Sequence, residues 1–302
     1  MSLNRTLLGL LRSSLGPGSI LSRPKVRCIL GPPQPFARLA KLLTLTSAER
    51  NRHSHECFRG NRGATPALQL RDVTGHKALF GGVLNYMKAR EGFNLQGPLI
   101  LWSFCLAIFS ILGTVRMWGY MWALVLRESL KQTVCFTTFL DNSVVRFWSC
   151  LFVLSKIIEL GDTAFIILRK RPLIFVHWFH HSTVLVFSSF GYKNKVAAGG
   201  WFMTMNYGVH SLMYTYYTLK AAKVKFPGWL PRLITSLQLL QMLMGSIVVI
   251  LAYTWSPEHG CHVTTDQFFW SITLYVAYFI LFVRVFYQTY VMPKVKAKTK
   301  SE

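Results

Sequence analysis

Acidic residues are few. Eleven Asp and Glu stand against 34 Lys and Arg in 302 residues, a formal net charge of +23. In a soluble chain that balance would point to nucleic acid. Here the basic residues mostly flank apolar runs, so membrane topology accounts for them and no nucleic-acid partner is expected. Cysteine is sparse and unpatterned. Cys28, Cys57, Cys105, Cys135, Cys150 and Cys261 form no CxxC pair and no metal-ligand spacing. They are expected to be small apolar fillers rather than a disulfide framework. The chain also lacks two repeated halves broken by Gly or Pro, which a transporter built on such repeats would carry.

Apolar residues are abundant, at 52% of the chain, and they come in long runs rather than amphipathic stripes. Runs of about 20 apolar residues form membrane helices, because a helix satisfies its own backbone in hydrocarbon. The expected fold is therefore all-α, a polytopic membrane helix bundle with six spans near 97–117, 144–167, 173–191, 197–218, 233–255 and 267–291. RPL, KNK, FPGWLPR and SPEHG supply the turns between them. Residues 118–132 are amphipathic and are expected at an interface.

Basic residues orient the bundle. With the C-terminus in the cytosol, cytosolic connections and the tail hold thirteen Lys and Arg against six on the other side. The positive-inside rule favours that arrangement. The tail over 293–302 contains Lys298 and Lys300 and resembles a dilysine retrieval signal of endoplasmic-reticulum membrane proteins. Residues 1–82 hold 13 basic and three acidic residues and no run long enough to span. They are expected to form a basic, disordered extension to the membrane domain at 83–292. Asn4 lies in a glycosylation sequon that matters only on the lumenal side.

Several polar groups fall inside the apolar runs. Glu159, Asp162 and Lys156 share the second span, and His177, His180, His181, His210, Asn206, Thr235, Gln238 and Gln241 occupy the next three. Ionisable groups in a span are costly and mark cavities or pathways, although any one of them can be interhelical glue. Their depths agree: counted from the cytosolic ends, Glu159, Asp162, the HWFHH histidines, His210 and the glutamines lie roughly 6–12 Å deep, with Lys156 near 17 Å. His177, His180 and His181 share a helix face, as do Asn206 and His210. A common polar layer suits an active-site chamber or an ion path.

Histidine can act as base, nucleophile or metal ligand. A membrane di-iron desaturase or hydroxylase carries HxxHH but needs several such boxes, and this chain has one. Without a metal, nucleophilic and proton-transfer roles remain. A non-enzymatic transporter could use the same layer as a proton relay. Arg169, Lys170, Arg171, Lys223 and Lys225 at the cytosolic mouth suit a phosphate-bearing substrate. A phosphate head with an apolar chamber points to an acyl-CoA.

Four segments, KIIELGDT from Lys156, HWFHH from His177, NYGVHSLMY from Asn206 and TSLQLLQ from Thr235, resemble in order the motifs of the fatty-acid elongases. The resemblance covers about residues 86–302 and implies a 3-ketoacyl-CoA synthase of the endoplasmic reticulum, an acyltransferase that condenses malonyl-CoA with a long-chain saturated or monounsaturated acyl-CoA. It implies His180 as nucleophile, with His177, His181 and His210 completing the catalytic set. Lys156, Arg169, Arg171, Asn206, Tyr216, Gln238 and Gln241 would bind substrate, and Glu159 and Asp162 would orient their neighbours. It implies no metal and no cofactor, since the CoA thioesters are substrates. Partners would be the 3-ketoacyl-CoA reductase, dehydratase and enoyl reductase of the same cycle, membrane lipid, and other elongase chains in homo- or hetero-oligomers. The family has seven helices, and only ALFGGVLNYM stands where the first should end.

Overall fold

In the computed structural model the described residues are 81–135, 142–256, 261 and 263–292. The basic extension up to residue 80, Asn4 and the lysine-rich tail lie outside them. Among the described residues every regular element is helical, and no strand is present. The elements are α1 (Gln96–Arg127), α2 (Leu130–Cys135), α3 (Ser143–Ile158), α4 (Gly161–Leu168), α5 (Phe175–Lys193), α6 (Gly199–Ala221), α7 (Trp229–Thr254) and α8 (Thr265–Phe286), which runs on into a π-turn, Tyr287–Val291. Among the described residues three helices, α1, α7 and α8 with its π-turn, are long and apolar enough to cross a membrane.

Local chemistry sets several of the ends. Asn142 caps α3, its Oδ1 accepting from the N–H groups of Val144 and Val145. Thr264 and Gln267 form a reciprocal capping box at the start of α8. Helices α4, α5 and α6 end with Lys170, Lys195 and Lys223 in the left-handed region at φ 49°, 48° and 64°. After α4 and α6 the next two N–H groups turn back onto the last carbonyls, as in a Schellman motif.

Helix α1, α3, α5, α8, α7 and α6 pack in that order around a ring, with the most extensive contact between α1 and α6. Small residues let the axes approach. A Cβ at Gly113 would overlap the Tyr207 ring across α1 and α6, and one at Gly245 would overlap Tyr275 across α7 and α8. Tyr207 is fully buried, and its hydroxyl donates to the Trp148 carbonyl of α3 at 3.0 Å. The outward faces are apolar: Leu126 is 69% and Trp270 66% exposed, as expected of side chains solvated by lipid. Residues 81–87 are helical, and Met87 packs with Ile167 and Trp178 near the α4–α5 turn.

Three sequence expectations need revision. Residues 118–127 are not separate from the first span but continue α1, with Met117 and Met121 both buried along it. The span expected at 144–167 is two helices, broken at Glu159 and Leu160. Gly161 follows the break and lets the Trp102 indole lie where a Cβ would otherwise stand. Cys135, Cys150 and Cys261 are not fillers: Cys150 is disulfide-bonded, and Cys135 and Cys261 form a disulfide across 126 residues, joining the end of α2 to the α7–α8 connection.

Candidate active site

The break after α3 gathers charge in the bundle interior. Lys156 Nζ lies 2.7 Å from Glu159 Oε1 and donates to Asn206 Oδ1 on α6 at 2.8 Å. Ser155 Oγ donates to the same glutamate oxygen at 3.2 Å, and His210 Nδ1 lies 3.7 Å from it. Lys156 and Glu159 are buried, so each charge rests on the other and on these hydrogen bonds. Lys156, expected deeper than the polar layer, reaches Glu159 in it through its own side chain and meets Asn206, one turn before His210 on α6.

One turn further on, Asp162 is held from two sides. Trp102 Nε1 of α1 donates to Oδ1, and the Tyr214 hydroxyl of α6 donates to Oδ2, both at 2.7 Å. The Tyr214 ring stands 5.5 Å from that of His210. Asp162 therefore links α1, α4 and α6 beside the histidine.

Helix α5 presents its three histidines together. The ring centroids of His177 and His181 are 4.4 Å apart, and those of His180 and His181 are 5.6 Å apart. His180 also packs edge-on against Tyr278 at 4.8 Å and Phe282 at 5.7 Å, both on α8. Tyr278 is fixed by a 2.7 Å hydrogen bond between its hydroxyl and Thr183 Oγ1. His177 Nε2 and His180 Nδ1 are buried without a hydrogen-bond partner among the described residues. Burying such groups unpaired is costly, so a site that leaves them open is one expected to meet a ligand.

A cavity of about 80 Å³ runs inside the ring, several times the volume that one water needs. His180, Asn206 and Gln241 line its polar part, and Phe152, Phe187, Phe202, Met203, Met242 and Tyr275 contribute apolar walls. Of the expected site residues, these three meet at the cavity, and Lys156, Glu159 and His210 stand directly behind Asn206. Gln238 points its amide at Met213 Sδ, 3.3 Å away, and Thr235 bonds the Pro231 carbonyl. Tyr216 is buried against Phe226, and its hydroxyl accepts from Lys220 at 3.0 Å, away from the cavity lining. Arg169 and exposed Arg171 sit at the α4–α5 turn, apart from the histidines. Among the described residues no three His, Cys, Asp or Glu side chains group as a metal-ligand set.

Sequence reasoning did not single out Trp102, Tyr214 or Tyr278. Tyr214 had a signal, since it lies one helical turn beyond His210 on the same face. Trp102 and Tyr278 had none, because aromatic residues in apolar spans read as packing.

Comparison with known proteins gives a consistent picture. The model of the ELO: GNS1/SUR4 family matches residues 76–298. Very long chain fatty acid elongase 3 of Homo sapiens is 72% identical over 218 residues, covering 72% of this chain and 81% of that protein. The elongase 3 of Mus musculus is 66% identical over 217 residues, 72% of this chain and 80% of its own. Very long chain fatty acid elongase 6 of Homo sapiens is 47% identical over 224 residues, 74% of this chain and 84% of its own.

Proposed function

The chain belongs to the GNS1/SUR4 family, and from that premise we propose that this fatty-acid elongation enzyme is a 3-ketoacyl-CoA synthase acting on long-chain saturated or monounsaturated acyl-CoA. The observation that carries the reading is His180, which lines the internal cavity with Nδ1 unpartnered and has Asn206 and Gln241 facing the same space.

In this reading an imidazole nitrogen of His180 attacks the thioester carbonyl. The carbon–sulfur bond breaks, and CoA leaves with the proton that the imidazole gives up. Malonyl-CoA then loses carbon dioxide, and the electrons of that bond form the new carbon–carbon bond to the acyl carbon as the imidazole departs and takes up one proton from the medium. The product is a 3-ketoacyl-CoA one elongation unit longer. An apolar chamber protects the acyl-imidazole from water. His210, beside Glu159, serves the malonyl step, and His177 and His181 orient His180 or move protons. Lys156, Asn206 and Gln241 hold thioester or pantetheine oxygens. Arg169 and Arg171 receive phosphate at the mouth, with Tyr216 and Gln238 shaping the path inward. Glu159 and Asp162 position their neighbours. The chemistry needs no metal and no further cofactor.

The endoplasmic-reticulum membrane, a cytosolic C-terminus and association with the other enzymes of the elongation cycle belong to the same proposal. The charge asymmetry supports the orientation, and the Cys135–Cys261 disulfide supports an oxidising compartment on the α2 side.

The test is incorporation of labelled malonyl-CoA by purified protein. His180→Ala is expected to abolish product while the chain remains inserted. Substantial turnover by a folded His180→Ala protein would remove the covalent role.

A further inference from the structure

The far end of the cavity, away from Asn206 and Gln241, is lined by Gly191, Tyr192, Lys195, Val196 and Gly199, where α5 turns into α6. That connection holds two non-glycine residues in the left-handed region, Lys195 at φ 48° and Ala198 at φ 68°. Lys195 closes the end of α5 locally, with the Val196 N–H donating to the Gly191 carbonyl at 3.0 Å. Ala198, whose N–H is bonded outside the connection, persists there only where its surroundings over-determine it.

The surroundings are α2. Ala198 N–H donates to the Val134 carbonyl at 2.8 Å, and Trp201 Nε1 donates to Thr133 Oγ1 at 3.2 Å. Val134 and Cys135 pack in one buried cluster with Ala197, Ala198, Val248, Ala252 and Cys261. The Cys135–Cys261 bond then ties α2 to the α7–α8 connection, so one clamp spans three helix ends. No α2 residue lines the cavity. Any effect it has on the cavity passes through the connection it holds.

We propose that α2, latched by the Cys135–Cys261 disulfide, sets the acyl length that the cavity accepts by fixing the α5–α6 connection as its end wall. This rests on the acyl-CoA reading of the site. The latch is a positioning device: closed, it holds the wall inward, and opened, it lets the left-handed connection relax outward and admit a longer chain. Gly191 is part of the same end wall. A Cβ there meets nothing within 4 Å, so a larger side chain shortens the cavity without forcing the backbone.

The experiment uses the full chain in detergent and a ladder of saturated acyl-CoAs. It measures affinity at each length and, separately, the lengths of the labelled products. Cys135→Ser/Cys261→Ser is expected to favour the acyl-CoA one elongation unit beyond the wild-type optimum, with a rise in relative affinity of about tenfold, the scale of a methylene in an apolar pocket. Trp201→Phe loosens the same clamp without touching the disulfide and should shift the ladder in the same direction. Gly191→Leu should shift it to shorter chains. A merely structural disulfide would lower stability and leave the length optimum where it was. An unchanged ladder in the double-serine chain overturns the proposal, as does an unchanged ladder in Trp201→Phe if the serine chain does not fold. A wild-type chain that binds the ladder but yields no longer product removes the condensation reading, while the binding ladder still decides the length proposal.

Discussion

Asp162 receives two donors, and both come from other helices. A hydrogen bond to a charged acceptor contributes about 1.5–3 kcal/mol, and the Trp102 and Tyr214 bonds are both short at 2.7 Å. In Asp162→Asn one acceptor oxygen becomes an amide that faces a donor. The expected loss of stability is therefore about 1.5–3 kcal/mol, read as lowered thermal unfolding in detergent. Tyr214→Phe removes a single bond and should cost less than Asp162→Asn. It also frees a ring beside His210, so kcat should fall more than the Michaelis constant for malonyl-CoA rises. A drop in stability with kinetics unchanged would confine Tyr214 to packing. Glu159 and His210, Lys156 and Asn206 were legible one by one as polar groups in apolar runs. Their mutual distances were not, since side-chain reach across a helix gap leaves no trace in spacing.

At the level of elements, the α4–α5 turn carries Arg169 and Arg171 and closes through Lys170 in the left-handed region. Guanidinium forks suit phosphate, and the proposed reading assigns them the CoA phosphates. Arg169→Ala/Arg171→Ala is expected to raise the Michaelis constant for acyl-CoA about tenfold or more while lowering kcat far less. An unchanged constant in steady-state kinetics would put the phosphate site elsewhere. Helix positions were largely readable because lipid demands unbroken apolar runs, and α5 to α8 begin and end within a few residues of expectation. The break at Glu159 was hidden because an isolated Gly inside an apolar run is a weak signal, and the packing of the Trp102 ring on Gly161 shows only in the fold. The Cys135–Cys261 disulfide was hidden for a related reason: two cysteines 126 residues apart meet only once the ring of helices has closed.

Across the whole molecule, two kinds of residue pull against each other: apolar faces turned to lipid and a charged group held inside. Lys156 and Glu159 are three residues apart on one stretch of chain. Their pairing therefore requires no other helix, whereas the bond from Lys156 to Asn206 must wait for α6. The insertion machinery meets α3 as it emerges, long before α6 exists, and weighs that segment by its own polarity. A lone lysine near the middle of a span costs about 2.5–3.5 kcal/mol on the insertion scale, but a lysine already neutralised one turn away can be handed to the bilayer as an uncharged unit. Glu159→Gln should accordingly lower the fraction of full-length chains in which the α3–α4 segment crosses, scored by an engineered glycosylation acceptor in the α4–α5 turn that is modified only where crossing fails, and Lys156→Met/Glu159→Gln should restore that fraction. Equal crossing by the wild type and Glu159→Gln would mean that the pair forms only after assembly, and that biogenesis is indifferent to it.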